Sequence, residues 1–219
     1  MSRLARGEEG QATPLYITAV VGLLFLALMF FAFGQADVSR NKTQTAADAA
    51  ALAAAQQSRD DLDDPLREHI LARDVPWLMA LFANGNVPER RSGCYGGPRF
   101  AQANGAHQLS CNELWGGRWG VTVDVRAQQS MGNSIVDGTE TKHAESKATA
   151  VVEFRCQFKP PEAPKPEDGD DDDQGKGNDK PKPSLGGLIC DGSDWELDPG
   201  NLDLLPGMAD LFNVRLAED

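Results

Sequence analysis

The sequence predicts an α+β fold carried on one long N-terminal helix, and three observations predict it. An uncharged apolar run near the N-terminus is long enough to cross a bilayer. A stretch soon after it is rich in alanine and free of glycine and proline. Two later segments alternate apolar and polar residues as half-buried strands do.

The apolar run comes first. From Leu15 to Phe33 the chain reads LYITAVVGLLFLALMFFAF, with no charged residue between Glu9 and Asp37. About nineteen helical residues rise roughly 28 Å, close to the thickness of a hydrocarbon core. The expected division is an N-terminal tail over residues 1–13 and a transmembrane helix over 14–34. A cleaved signal peptide is the competing account, with small-x-small sites at Ala32-Phe33-Gly34 and Gly34-Gln35-Ala36. Its apolar region is usually only about 7–15 residues long, so a retained helix is favoured.

Helical character is expected to continue. Asn41 to Ser58 reads NKTQTAADAAALAAAQQS, and the acidic stretch ending at Pro65 marks its far limit. An extracytoplasmic helical stalk over residues 35–62 follows, with Gly34 a weak point at the membrane surface. The helix-packing residues proposed on it are Ala46, Ala47, Ala50, Leu52 and Ala54. Small side chains admit another backbone closely. Three readings stay open: a surface for neighbouring subunits, a plain high-propensity stalk, and a helix packed on its own head.

An α+β head is expected over residues 63–158. Two short helices broken at Val75-Pro76 and ending near Asn84-Gly85 open it, then a glycine-rich loop from Arg90 to Gly105. Gly120 to Gln129 and Lys147 to Phe158 form an antiparallel strand pair, with a loop or short helix between them. Residues 159–184, dense in Pro, Asp, Gly and Lys, offer nothing to bury and read as a disordered linker. Residues 185–219 regain apolar side chains and are expected to fold back on the head as a strand or helix.

Composition narrows the function. The 219 residues include 33 acidic against 21 basic, a net charge of −12, which excludes a nucleic-acid coat. With 41% hydrophobic residues, many of them in the N-terminal run, a large enzyme core is not expected. No P-loop, dinucleotide or serine-hydrolase motif occurs, and His69, His107 and His143 are scattered. Asp168 and Asp170 to Asp173 lack calcium-loop order and read as a solvated tract. Hence no catalytic, cofactor or metal residue is assigned. Trp115 and Trp119, among glycines in LWGGRWG, are candidates for a ligand platform. Core packing at the start of the next strand is the competing reading.

Cys94, Cys111, Cys156 and Cys190 all follow the apolar run, even in number and without a C-x-x-C pair. Such spacing suits disulfides in an oxidising compartment. Flanking Arg and Lys nearly balance, so the cysteines set the orientation: N-terminus cytoplasmic, the remainder outside. Cys94 with Cys111 and Cys156 with Cys190 is the pairing hypothesised.

The N-terminal fifty residues carry a resemblance. Arg6, Gly7 and Gly10 precede the apolar helix, Asp37 and Arg40 follow it, and then comes Gln44-x-Ala46-Ala47-Asp48-Ala49-Ala50-Ala51-Leu52. This resembles the N-terminal region of TadG-like (TadE/TadG) proteins of the Tad/Flp pilus-assembly system. The resemblance implies a single-pass bacterial cell-membrane protein whose partners are the lipid bilayer and other pilus-assembly or pilin-like proteins. Related pseudopilins are cut after a glycine with Glu five residues on; here that residue after Gly10 is Leu15, so such processing is not expected. A pilin-like or accessory component is the expectation. A surface-exposed binding protein with no role in pili is the alternative.

Overall fold

A computed structural model describes residues 12–82, 87, 91–130, 140–161 and 184–217. Helix α1 runs unbroken over Ala12–Asp60, 49 residues and about 73 Å, straight through Gly34. Pro14 sits in its first turn, where a missing donor costs nothing. Thr18, Thr43 and Thr45 each donate a hydroxyl to the carbonyl four residues back, satisfying themselves inside the helix.

Helix α2 (Asp63–Leu71) begins with Asp63 and Asp64 at its positive end, and Pro65 lies in its first turn. The break before α3 (Val75–Phe82) falls at residues 72–74, upstream of the Val75-Pro76 position expected. Arg73 takes a left-handed φ of 57° there, and an oxygen of Asp74 caps the amide of Trp77 at 3.1 Å. Pro76 therefore starts a helix, whereas its sequence position suggests an interruption. The expected stop near Asn84-Gly85 lies outside the described residues.

The segment read as a loop from Arg90 to Gly105 is partly helical. A 3-10 turn at Cys94–Gly96 leads into α4 (Gly97–Ala103). Three antiparallel strands follow, each paired with the next: β1 (Ala106–Glu113), β2 (Gly120–Ser130) and β3 (His143–Phe154). The expected pair is β2 with the first part of its expected partner, and Val121, Val123 and Val125 face the core.

The second expected strand does not stay in one sheet. It stops at Arg155, whose amide turns to the carbonyl of Leu211 at 2.9 Å. Beyond it β4 (Cys156–Lys159) joins a smaller sheet with β5 (Gly187–Cys190) and β6 (Ser193–Glu196). Short helix α5 (Met208–Leu211) then delivers the chain to β7 (Phe212–Leu216). That last strand pairs antiparallel with β3 and completes the large sheet, in the order β1-β2-β3-β7. The C-terminal segment thus contributes three strands and a helix. Most of the expected linker, residues 162–183, lies outside the described residues.

The core gathers where α1, α3 and the large sheet meet. Phe212 stacks near Phe82 at 5.8 Å, and Phe154 and Trp119 meet it edge-on, each at 5.2 Å. Such aromatic pairs add about 0.5–1.5 kcal/mol each beyond their burial.

Candidate membrane anchor and assembly surface

Helix α1 has two unlike halves. No side chain from Thr13 to Phe31 is buried, although the stretch is 19 residues long with a mean hydropathy of 2.3. Water solvates large apolar groups poorly, at about 25 cal/mol for each Å² of surface left exposed. A continuous sleeve of Leu, Phe, Ile and Val is therefore suited to an apolar medium.

The other half is enclosed. Ala46, Ala47, Ala50 and Ala54 are fully buried, and Leu52 is partly buried against the same core. What covers them is the chain's own head. Of the three readings left open for these residues, packing on the same chain is the one seen. Burial spreads over more than one face, since Ala51, Ala53 and Ala55 are buried too. The large sheet lies against one side of α1, and the Cys94–Ala103 segment lies against another. A helix gripped from two sides has room only for methyl groups.

Glycines set the closest approach. A Cβ at Gly93 would overlap the carbonyl oxygen of Ala54 and the amide of Ser58; at Gly96 it would stand 2.9 Å from the carbonyl oxygen of Ala53. Gly93 also has a φ of 63°, left-handed backbone that side chains resist. The disulfide Cys94–Cys111 ties this segment to β1, with Cα atoms 5.8 Å apart. The second disulfide, Cys156–Cys190, joins directly paired residues of β4 and β5. In a chain-entropy account the crosslinks are worth about 3 and about 4 kcal/mol, the longer loop gaining more.

Polar contacts fix the register of helix and head. Ser58, buried, donates to the carbonyl of Arg91 and accepts from the indole of Trp119 at 2.9 Å. Gln44 donates to Asp48 at 2.8 Å and to the carbonyl of Lys147 on β3 at 3.2 Å. Tyr95 donates to Asp61 just beyond the helix end, and that hydrogen bond holds the phenol's pKa above its usual 10.0. On the sheet, Arg215 grips Glu153, and this hydrogen bond holds the Glu153 carboxyl below its usual 4.5.

The two tryptophans do not form a platform. Trp119 is only 4% exposed and belongs to the core, whereas Trp115 is 94% exposed. Between them Gly116 and Gly117 both take left-handed φ values, 78° and 80°, which swing the two rings apart. Sequence reasoning does not single out Gly93, Gly96 or Ser58. The available signal is the spacing of glycines in GCYGG, small enough to meet an alanine helix.

Residues 10–57 match the Tad family model of TadE/G-like Flp pilus-assembly proteins. The match covers less than a quarter of the chain's 219 residues. No curated protein and no solved structure matches the chain. The TadE/G-like stretch takes in both halves of α1, lipid-type and alanine-type, and ends one residue before Ser58. The sheets, the disulfides and the shorter helices lie outside it, so the pilus connection rests on the helix alone.

Proposed function

We propose that this protein is a membrane-anchored, pilin-like or accessory component of Tad/Flp pilus assembly, with a non-enzymatic role. The observation that carries it is the single continuous helix that takes up nearly all of the TadE/G-like stretch: one half suited to lipid, the other the central strut of a folded head. Two disulfides suit an oxidising compartment, which supports a head on the extracytoplasmic side and an N-terminus in the cytoplasm. A strut continuous with its anchor transmits position: any partner that holds the span also fixes where the head stands.

Other pilus-assembly or pilin-like proteins are the partners this reading requires. A second reading, a single-pass surface binding protein unconnected with pili, draws on Trp115 alone, an exposed anchor residue of the kind found at interfaces. Gene deletion with complementation by the full chain separates the two. Loss of surface pili, restored by the wild-type chain and by Trp115→Ala, is the expected result. Normal pili in the deletion strain would sink the proposal.

A further inference from the structure

Where the exposed half of α1 meets the underside of the head, a cleft of about 1110 Å³ opens. Phe30, Phe31 and Val38 form its apolar wall, all three exposed. The opposite wall is the Asn104–Gly105 turn and the end of β2 at Gln129. Phe31 is the last residue of the span, so the apolar wall continues the surface that lipid tails would cover. Above it the lining changes character. Lys42 is the one charged side chain there among the described residues, and no described carboxylate lines the cleft. In a chain of net charge −12, a lining cation with no described anion beside it is a selective arrangement. Ser39 and Gln129 add a hydroxyl and an amide.

We infer that this cleft holds one anionic phospholipid from the leaflet facing the head. The tails lie along Phe30 and Phe31, and Lys42, about 16 Å up the helix from Phe31, extends its stem down so that the phosphate accepts from it. Neutral donors beside the lysine suit a phosphodiester, and the cleft is somewhat larger than ordinary small-molecule sites of about 300–1,000 Å³, as a lipid requires. The bound lipid would fill the gap between helix and head, so that the head rests on the bilayer. This inference depends on the span reading proposed above.

The test uses the full chain reconstituted in vesicles of phosphatidylcholine with a minor share of phosphatidylglycerol. The protein is then extracted in mild detergent and its retained lipid counted by mass spectrometry. One phosphatidylglycerol per chain is expected. Lys42→Gln should weaken retention roughly fivefold, the worth of one cation at an anionic surface. Lys42→Arg should keep it, and Lys147→Gln, an equal charge change higher on β3, should leave it alone. Equal loss in the Lys42 and Lys147 variants, no preference for phosphatidylglycerol, or cross-links seating a second copy of the chain in the cleft would each overturn the site. Flotation of the protein with pure phosphatidylcholine vesicles checks the span separately. A chain that floats yet shows no anionic preference loses the lipid site and keeps its anchor.

Discussion

One helix carries two opposite solutions to the same problem. From Thr13 to Phe31 the side chains of α1 are large, apolar and bare; from Thr43 to Ser58 most are small and covered. Large groups gain most when an adaptable fluid wraps them, because lipid tails fit any outline. Small groups gain from a rigid neighbour that comes close, because what they offer is proximity. The difference teaches that helix length alone does not reveal an anchor's extent. Side-chain size along it does, marking where the exposed apolar surface ends and protein packing begins.

The largest effect that would break this contrast is expected at Gly93. Gly93→Val drives a branched side chain into the backbone of Ala54 and Ser58 at a left-handed φ. Steric overlap and backbone strain together cost about 3–5 kcal/mol. Denaturant unfolding with the disulfides intact should show the head destabilised by that amount, with membrane association retained. A stable Gly93→Val head would mean that the alanine half is not tightly gripped. The reciprocal change, Leu24→Arg, places a charge in the middle of the exposed half. It should cost about 3 kcal/mol of insertion and shift the protein out of the membrane fraction, while the disulfide pattern stays native. Unchanged fractionation would remove the lipid half of the comparison.

A smaller effect sharpens the buried half. Ser58→Ala removes the acceptor of the Trp119 indole and the donor to the Arg91 carbonyl. A buried donor left unpaired costs about 1–3 kcal/mol. In a double-mutant cycle, adding Trp119→Phe should cost less in the Ser58→Ala background than alone, since the indole has already lost its partner. Strict additivity of the two changes would show that the bond does not couple helix to strand.

Much of the contrast is legible in the amino-acid sequence, and the reasons differ by element. The span is legible because lack of charge over a fixed length is a property of the residues themselves. Strands β2 and β3 are legible because apolar residues recur at every second position along one face. Strand β1, AHQLSCNE, escapes sequence reading: it is an edge strand with only Ala106 fully buried, so it carries almost no period. Helix α4 hides behind Gly97 and Pro98, residues that usually mark loops but here start a helix against alanines. The passage of β3 into β4 is silent in the sequence because inward residues keep their phase through Arg155 while the sheet changes. Trp115 and Trp119 look equivalent in LWGGRWG, and two left-handed glycines separate their fates. Which alanines meet protein and which meet solvent is a tertiary fact. No local pattern states it.

The smallest expected effect lies at the end of the strut, where Tyr95 donates to Asp61. The carboxylate favours the protonated phenol, so the folded pKa stands above the ordinary 10.0. The sign follows from that direction: the contribution to stability is full below pH 10 and disappears as pH rises through the elevated folded value. The phenol is exposed, so water screens the effect and the titration itself is the better readout. The chain has 2 tyrosines, and Tyr16 sits in the exposed apolar half, so Tyr95→Phe isolates the signal of the head. Phenolate absorbance assigned to Tyr95 should emerge at higher pH in the wild type than in Asp61→Asn, which keeps the shape of the acceptor and removes its charge. Coincident curves would mean that Tyr95 does not hold the last turn of α1, leaving the Ser58 bond and the glycine contacts to position the head on its strut.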